Sequence, residues 1–379
     1  MDGKYSIESS PHPLAFLVRA APAGISADSG VSTVEAHCLG VHQKEALAAD
    51  TAGGALWRLT SDEGAMLGGS DLAPFPLAYW NGGLQLDLVE RMHALARSRG
   101  LPVTLIETAL TNRYAFDGSF YRGDGQGSAQ PALARVRVDG GVTLKQAQEL
   151  ARDALATSPA HAAMAQALTN TFALYVNNRR VPVTGVPPST AADLDDPFRK
   201  YTGAPQPLAN AGAAQVLISK LQAAPSSTPV AAMPAAQRVE FSIGGTCVWT
   251  ANEAQGRAVS VIERPGSTPY ALVGGGADAN PAPSGLAYMA AGIAFCYMTQ
   301  LVRYVEYLKY KVRAIRLAQT VPWRAGTAPS FGPVDTHLYL VSEEPDEVNQ
   351  RLLAIAANTC YLHAALGSAL TTQLEVTTS

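Results

Sequence analysis

The same succession of sequence blocks occurs twice along these 379 residues, and an internal repeat restricts the fold more than any single motif does. Residues 76–106 read PLAYWNGGLQLDLVERMHALARSRGLPVTLI, and residues 285–315 read GLAYMAAGIAFCYMTQLVRYVEYLKYKVRAI. At an offset of 209, Leu77, Ala78 and Tyr79 fall on Leu286, Ala287 and Tyr288, Gly83 on Gly292, Val103 on Val312 and Ile106 on Ile315. Further along, SPAHAAM (158–164) matches CYLHAAL (360–366), with His161 on His363. Upstream, Cys38 and Cys247 each lie 41 residues before the matched tyrosines. Order is kept while identity is low, so the chain reads as two divergent copies, 34–182 and 236–379.

Residues 1–33 read as an extended N-terminal arm. Residues 183–235 are rich in Pro, Ala and Ser and read as a linker. Within it, 213–222 (AAQVLISKLQ) is amphipathic and predicts one docked helix. In the second copy, 239–250 and 256–263 alternate and carry many Val, Ile and Thr, which predicts a hairpin. Gly274-Gly275-Gly276 and Asn280-Pro281-Ala282-Pro283 form a structure-breaking loop. From 284 to 309 no proline occurs, and the first half of that stretch is apolar on nearly all sides, which predicts a long helix buried at the centre. Strands are expected at 311–322 and 334–342. Glu343, Glu344, Asp346 and Glu347 mark the start of a helix over 345–358. A short helix follows Cys360, and 373–377 closes the sheet. The order β-β-α-β-β-α-α-β specifies an α+β fold: two tandem domains, each an antiparallel sheet packed on a long central helix. Two such apolar helices cannot stand exposed, so the copies are expected to pack as a pseudo-twofold pair within one chain.

Lys and Arg number 28 against 31 Asp and Glu, a net charge of −3, which argues against a basic nucleic-acid binder. No unbroken run of 18 apolar residues occurs, so no membrane span is expected. The N-terminus lacks a basic stretch leading into an apolar one, and the protein is expected in the cytoplasm without a secretory signal. Four cysteines, Cys38, Cys247, Cys296 and Cys360, are too few for a disulfide scaffold, and none has zinc-site spacing. No metal or cofactor is called for. Cys38 and Cys247 fall in strands and read as core. Cys296 lies in the middle of the buried helix. Cys360 lies at a helix break, where backbone N–H groups favour a thiolate.

On these residues the second copy resembles the OsmC/Ohr superfamily, the osmotically inducible and organic-hydroperoxide-resistance proteins. The resemblance rests on SGLAYMAAGIAFC, on Cys360 in ANTCYLHAAL 64 residues later, and on the Gln255-Gly256-Arg257 turn. It implies an intertwined homodimeric fold with sites between subunits, here supplied by the two copies. It also implies that Cys296 attacks an organic hydroperoxide, Cys360 resolves the sulfenic acid as a disulfide, Arg257 stabilises the thiolate, and an external dithiol restores the pair.

The chain departs from that pattern. No carboxylate stands about ten residues before Cys296, and Glu263 and Glu306 are the nearest replacements. The first copy has Asp87 and Ser158 where the second has Cys296 and Cys360, so it reads as a degenerate half that completes the fold. Asp87 is an acid or base candidate facing the Cys296 site. Tyr288, Phe295, Tyr297 and Trp323, with Tyr79 and Trp80 of the first copy, are candidate walls of an apolar pocket for an aromatic or otherwise apolar small molecule. Three functions stay open at this point: a thiol peroxidase, a hydrolase-type catabolic enzyme using Cys296 as a covalent nucleophile on an aromatic or heterocyclic substrate, and a non-catalytic binding protein. No nucleic-acid or membrane partner is expected, and a further dimer of chains is left open.

Overall fold

A helix that is apolar on every side needs protein on every side, and the stretch after Ser284 obtains it from both halves of the chain. The computed structural model describes residues 5–22, 28–120, 122–209, 215–223, 238–275 and 281–379. The first half contributes β1 (Ala15–Arg19), β2 (Ser29–Cys38), β3 (Lys44–Ala49), β4 (Leu56–Ser61), α1 (Pro76–Ser98), β5 (Leu105–Asp117), β6 (Gln126–Asp139), α2 (Leu144–Thr157), α3 (Pro159–Ala165), β7 (Thr171–Val176) and β8 (Arg179–Val181). After β9 (Ile218–Lys220) come β10 (Arg238–Thr250), β11 (Gly256–Ile262), β12 (Tyr270–Gly274), α4 (Gly285–Leu308), β13 (Val312–Arg324), β14 (Ser330–Phe331), β15 (Asp335–Ser342), α5 (Asp346–Thr359), α6 (Tyr361–Leu366) and β16 (Gln373–Thr377). Leaving aside β1, β8, β9 and β14, the order β-β-β-α-β-β-α-α-β occurs once in each half.

The result is a mixed α+β fold of two sheets. One runs β1-β4-β3-β2-β13-β15-β7-β8, with β14 on β13; the other runs β16-β6-β5-β10-β11-β12-β9. Each sheet therefore takes strands from both halves. The expectation of one antiparallel sheet per copy is corrected in two ways. β10 lies along β5 from Arg238↔Asp117 to Thr250↔Leu105, and β13 lies along β2, so the halves share their hydrogen-bond ladders. The pairs β15–β7 and β16–β6 are parallel. Strands joined by a tight turn must be antiparallel, whereas strands from different halves carry no such restriction.

α4 packs on β2, β3 and β13, α1 packs on β10, β11 and β5, and the two helices pack on each other. Ser284 starts α4, its hydroxyl accepting the Ala287 N–H at 3.1 Å. By length and composition α4 could cross a membrane, which counting unbroken apolar runs missed, but its apolar window is wholly buried within the protein. The helices approach so closely because glycines face the contact: a Cβ on Gly83 would stand 2.6 Å from the Gly285 carbonyl oxygen, and one on Gly292 3.0 Å from the Pro76 carbonyl oxygen. Asn81 and Gln85 turn the other side of α1 toward the sheet. Asn81 Nδ2 donates to Asn112 Oδ1 at 2.9 Å, and Asn81 Oδ1 accepts from Gln85 Nε2 and Ser260 Oγ. These buried polar atoms are thereby satisfied across halves.

The segment between the halves is only partly described. Its expected helix at 213–222 is corrected. Residues 210–214 lie outside the described residues, and Ile218–Lys220 is strand β9, paired with β12. The exposed edge of β12 offers a row of unpaired backbone groups, and three extended residues satisfy them better than an isolated helical turn would. Arg316 holds Asp196 through two hydrogen bonds of 2.7 and 2.8 Å, and Tyr201 stacks on His37 at 3.9 Å, so this segment is anchored to β13 and β2. Of the expected glycine-proline loop, 276–280 lies outside the described residues. Parts of the expected arm, 1–4 and 23–27, lie outside as well.

Candidate active site

The helical period brings Cys296, Thr299, Gln300 and Arg303 onto one face of α4, and all four line a single cavity of about 180 Å³. The opposite walls come from both halves: the loop 63–67 and 71–77 before and at the start of α1, the turn 262–268 after β11, and the rings of Phe241 and Tyr361. Cys296 is 3% exposed.

Cys360 sits at the junction of α5 and α6, in extended conformation, with the backbone N–H groups of Leu362 and His363 near it but no capping hydrogen bond to its side chain. Its thiol adjoins Cys296. Burial pushes the Cys360 thiol well up, and the adjoining Cys296 adds to this, against a smaller downward pull from the two backbone donors. All four cysteines are buried thiols without a disulfide. Burial raises Cys38 to about 12 and also raises Cys247, so both are inert core groups.

A cation from the first half reaches the same place. Lys44, at the start of β3 and fully buried, donates to Thr299 Oγ1 at 2.9 Å and to the His42 carbonyl oxygen at 2.8 Å. Its Nζ is 3.6 Å from Glu63 Oε1, and the Thr299 hydroxyl donates to the same oxygen at 2.5 Å. Burial raises Glu63 above the usual carboxylate range, while Lys44 and then Thr299 oppose that rise. Behind them, burial, followed by repulsion from Lys44 and Arg303, lowers His42 to about 3, leaving it neutral. The loop carrying Glu63 is folded around Asp62, whose carboxylate accepts from the N–H groups of Glu63, Ser70 and Leu72. Asp71, held left-handed at φ 55°, ties that loop to the turn opposite: Thr268 donates to its carboxylate at 2.6 Å, and Lys220 pairs with it at 2.8 Å.

Of the residues singled out in the sequence, Cys296 and Cys360 come together. Arg257 does not join them. It is exposed on β11, because Gly256 and Ala258 on either side face the core and a strand alternates. Glu263 and Glu306 are exposed as well, and the acids at the cavity are Glu63 and Asp71. Asp87 is also away from the cavity. It is buried in α1, paired with Arg91 at 3.0 Å and accepting from Ser158 Oγ at 2.5 Å. The proposed aromatic wall is core instead. The Tyr288 hydroxyl donates to the Val273 carbonyl, Tyr297 to Leu353, Trp323 to Asp50, and Tyr79 to Thr60. Phe295 packs on Tyr79 at 5.5 Å, and Trp80 is fully buried. Neighbours of Cys296 are rotated about 100° from it on the helix, so Phe295 and Tyr297 face other elements.

The two matched histidines are both buried in neutral form. Burial lowers His161 and His363 to about 4, and His363 lies among the rings of Phe172 and Tyr297. The unfolded chain protonates each near its ordinary value of 6.5, before the folded protein does. The stability they confer is therefore complete above about pH 6.5 and falls with pH through about 4, by about 1.4 kcal/mol per pH unit for each imidazole. Urea unfolding at a series of pH values from about 7 to about 5, above most carboxylate titration, should show this slope, and His363→Phe should reduce it. A flat profile would mean that these rings are not buried neutral.

Residues 275–375 match the family model described as OsmC-like protein. Among solved structures, a crystal structure of an OsmC-like hydroperoxide resistance protein from Jannaschia sp. CCS1 is 28% identical over 31% of this chain and 81% of that chain, with a TM-score of 0.22. No curated protein matches the chain. The chain thus carries an OsmC-like domain at residues 275–375, the part that holds Cys296 and Cys360.

Proposed function

We propose that this protein reduces organic hydroperoxides with the Cys296–Cys360 pair, and that its two halves are tandem copies of which only the second kept the thiols. What supports the reading is that Cys296 lines a cavity and that the buried Cys360 thiol adjoins it. In the first step the Cys296 thiolate attacks the outer peroxide oxygen. The O–O bond breaks, the sulfur becomes sulfenic acid, and the organic fragment takes a proton and leaves as the alcohol. Cys360 then displaces water from that sulfenic acid to form a disulfide, and an external dithiol reduces the disulfide. Glu63, raised by burial and facing the cavity, is suited to hand over the proton. Lys44 stands beside it, with Nζ 3.6 Å from its carboxylate.

The tandem reading is supported by the twice-occurring element order and by the first-half counterparts of the thiols. Asp87 and Ser158, at the positions matching Cys296 and Cys360, are themselves hydrogen-bonded. That contact keeps the shape of the pair without its chemistry.

The test is peptide mapping after one equivalent of cumene hydroperoxide. A disulfide between Cys296 and Cys360 is expected, together with release of one equivalent of alcohol. No reaction, or oxidation confined to other cysteines, would overturn the reading. Activity on a heterocyclic ester or amide that survives Cys360→Ser would favour covalent hydrolysis at Cys296 instead.

A further inference from the structure

The ionic groups lining the cavity are equal in number, but only the acids have partners at ion-pair distance among the described residues. Its acids are Glu63 and Asp71, and its cations are Arg264 and Arg303. Both acids are already answered from outside the lining: Glu63 by Lys44 at 3.6 Å and Asp71 by Lys220 at 2.8 Å. The two guanidinium groups have no such answer. Arg303 lies over the Phe120 ring at 4.3 Å and donates to Gln300 Oε1 at 3.1 Å, and Arg264 is 6.0 Å from the Phe241 ring centre. Neither takes part in an ion pair among the described residues. Elsewhere the chain does otherwise: its largely buried arginines Arg58, Arg91 and Arg316 have Glu45, Asp87 and Asp196 as partners.

The rest of the lining is apolar, with Met66, Leu67, Phe75, Leu77, Ile262 and Tyr361 among its members. A cavity of about 180 Å³ exceeds the roughly 150 Å³ that admits benzene, so one aromatic ring or a short acyl chain fits. A molecule filling it displaces the water that solvates both guanidinium groups, and an uncompensated cation in that setting is costly.

We propose that the cavity takes a small organic anion, with an apolar body against these walls and one carboxylate-type group held by Arg264 and Arg303. The inference names the substrate class for the peroxidase reading above and rests on it only for the claim that the bound molecule is consumed. Aromatic stacking and charge-assisted hydrogen bonds give such a guanidinium pair its selectivity for planar anions.

The experiment uses the full chain and two matched probes, phenylbutyrate and phenylbutyramide, with inorganic phosphate as an anion lacking an apolar body. Each is tested for protection of Cys296 from iodoacetamide and, independently of the thiol, for binding by titration calorimetry. The carboxylate should protect and bind at about tenfold lower concentration than the amide, the least that a charge-assisted contact predicts. Arg264→Gln and Arg303→Gln should each pull that ratio toward one while leaving amide binding in place. Equal binding of acid and amide by the unaltered protein would overturn the proposal. So would an acid preference untouched by either substitution, or phosphate binding as well as phenylbutyrate. Anion preference without any hydroperoxide turnover would instead overturn the peroxidase reading and leave the anion site standing.

Discussion

Cys296→Ser should reduce hydroperoxide turnover by on the order of 10³-fold or more, with folding unchanged. The substitution alters one atom of a side chain packed in the middle of α4, and serine fits where cysteine does. What is lost is the nucleophile. A serine hydroxyl is a far weaker nucleophile than a cysteine sulfur toward a peroxide oxygen. Cys360→Ser should behave differently. The first oxidation remains, but without a resolving thiol the sulfenic acid is exposed to further peroxide, so activity decays as Cys296 is driven to sulfinic acid. Stopped-flow consumption of cumene hydroperoxide with dithiothreitol as reductant distinguishes the two. Turnover in Cys296→Ser within tenfold of the unaltered protein would end the assignment.

Lys44→Met should destabilise the protein by about 3–5 kcal/mol at neutral pH, the usual cost of stranding one member of a buried ion pair. Lys44 is fully buried, and its removal leaves the Glu63 carboxylate with the Thr299 hydroxyl as its remaining polar partner at that oxygen. The sign of the pH dependence follows. Glu63 is raised in the folded protein, so its burial costs nothing while it is protonated in both states. The cost appears as pH rises past the unfolded value near 4.5 and grows until the folded group ionises. The deficit of Lys44→Met should therefore shrink on acidification, and Glu63→Gln in the same chain should recover most of it at neutral pH. Denaturant unfolding compares both variants with the unaltered protein. A loss below about 1 kcal/mol with no pH dependence would show that this pair does not hold the site together.

Much of the skeleton was legible because α4 and the strands around it obey local patterns. The run from Ser284 is apolar on all sides, and 239–250 alternates, so helix and hairpin follow from period alone. The places of the two cysteines were legible from the same patterns, Cys296 in the middle of the long helix and Cys360 at the break between two short ones. The rest of the site was not, for two reasons. Lys44 meets Thr299 across 255 residues and Glu63 meets it across 236, and no local pattern reports such a meeting. The cavity walls at 63–77 and 262–268 are mostly irregular chain, whose positions are set by single contacts such as those of Asp62 and Asp71 rather than by periodicity. Arg257 is a different case. The alternation of β11, with Gly256 and Ala258 inward, points this arginine to solvent, a fact of strand geometry that the turn motif by itself does not carry.

The sharing of ladders between halves bears on how the chain is made. β2 finds its neighbour β13 only when residues 312–324 exist, and β5 waits for residues 238–250. At typical translation rates of about 5–20 residues per second, β2 emerges with an open edge for some tens of seconds. Unpaired strand edges template association with other chains. The nascent first half, with α1 also lacking α4 as its cover, is thus the species most exposed to aggregation.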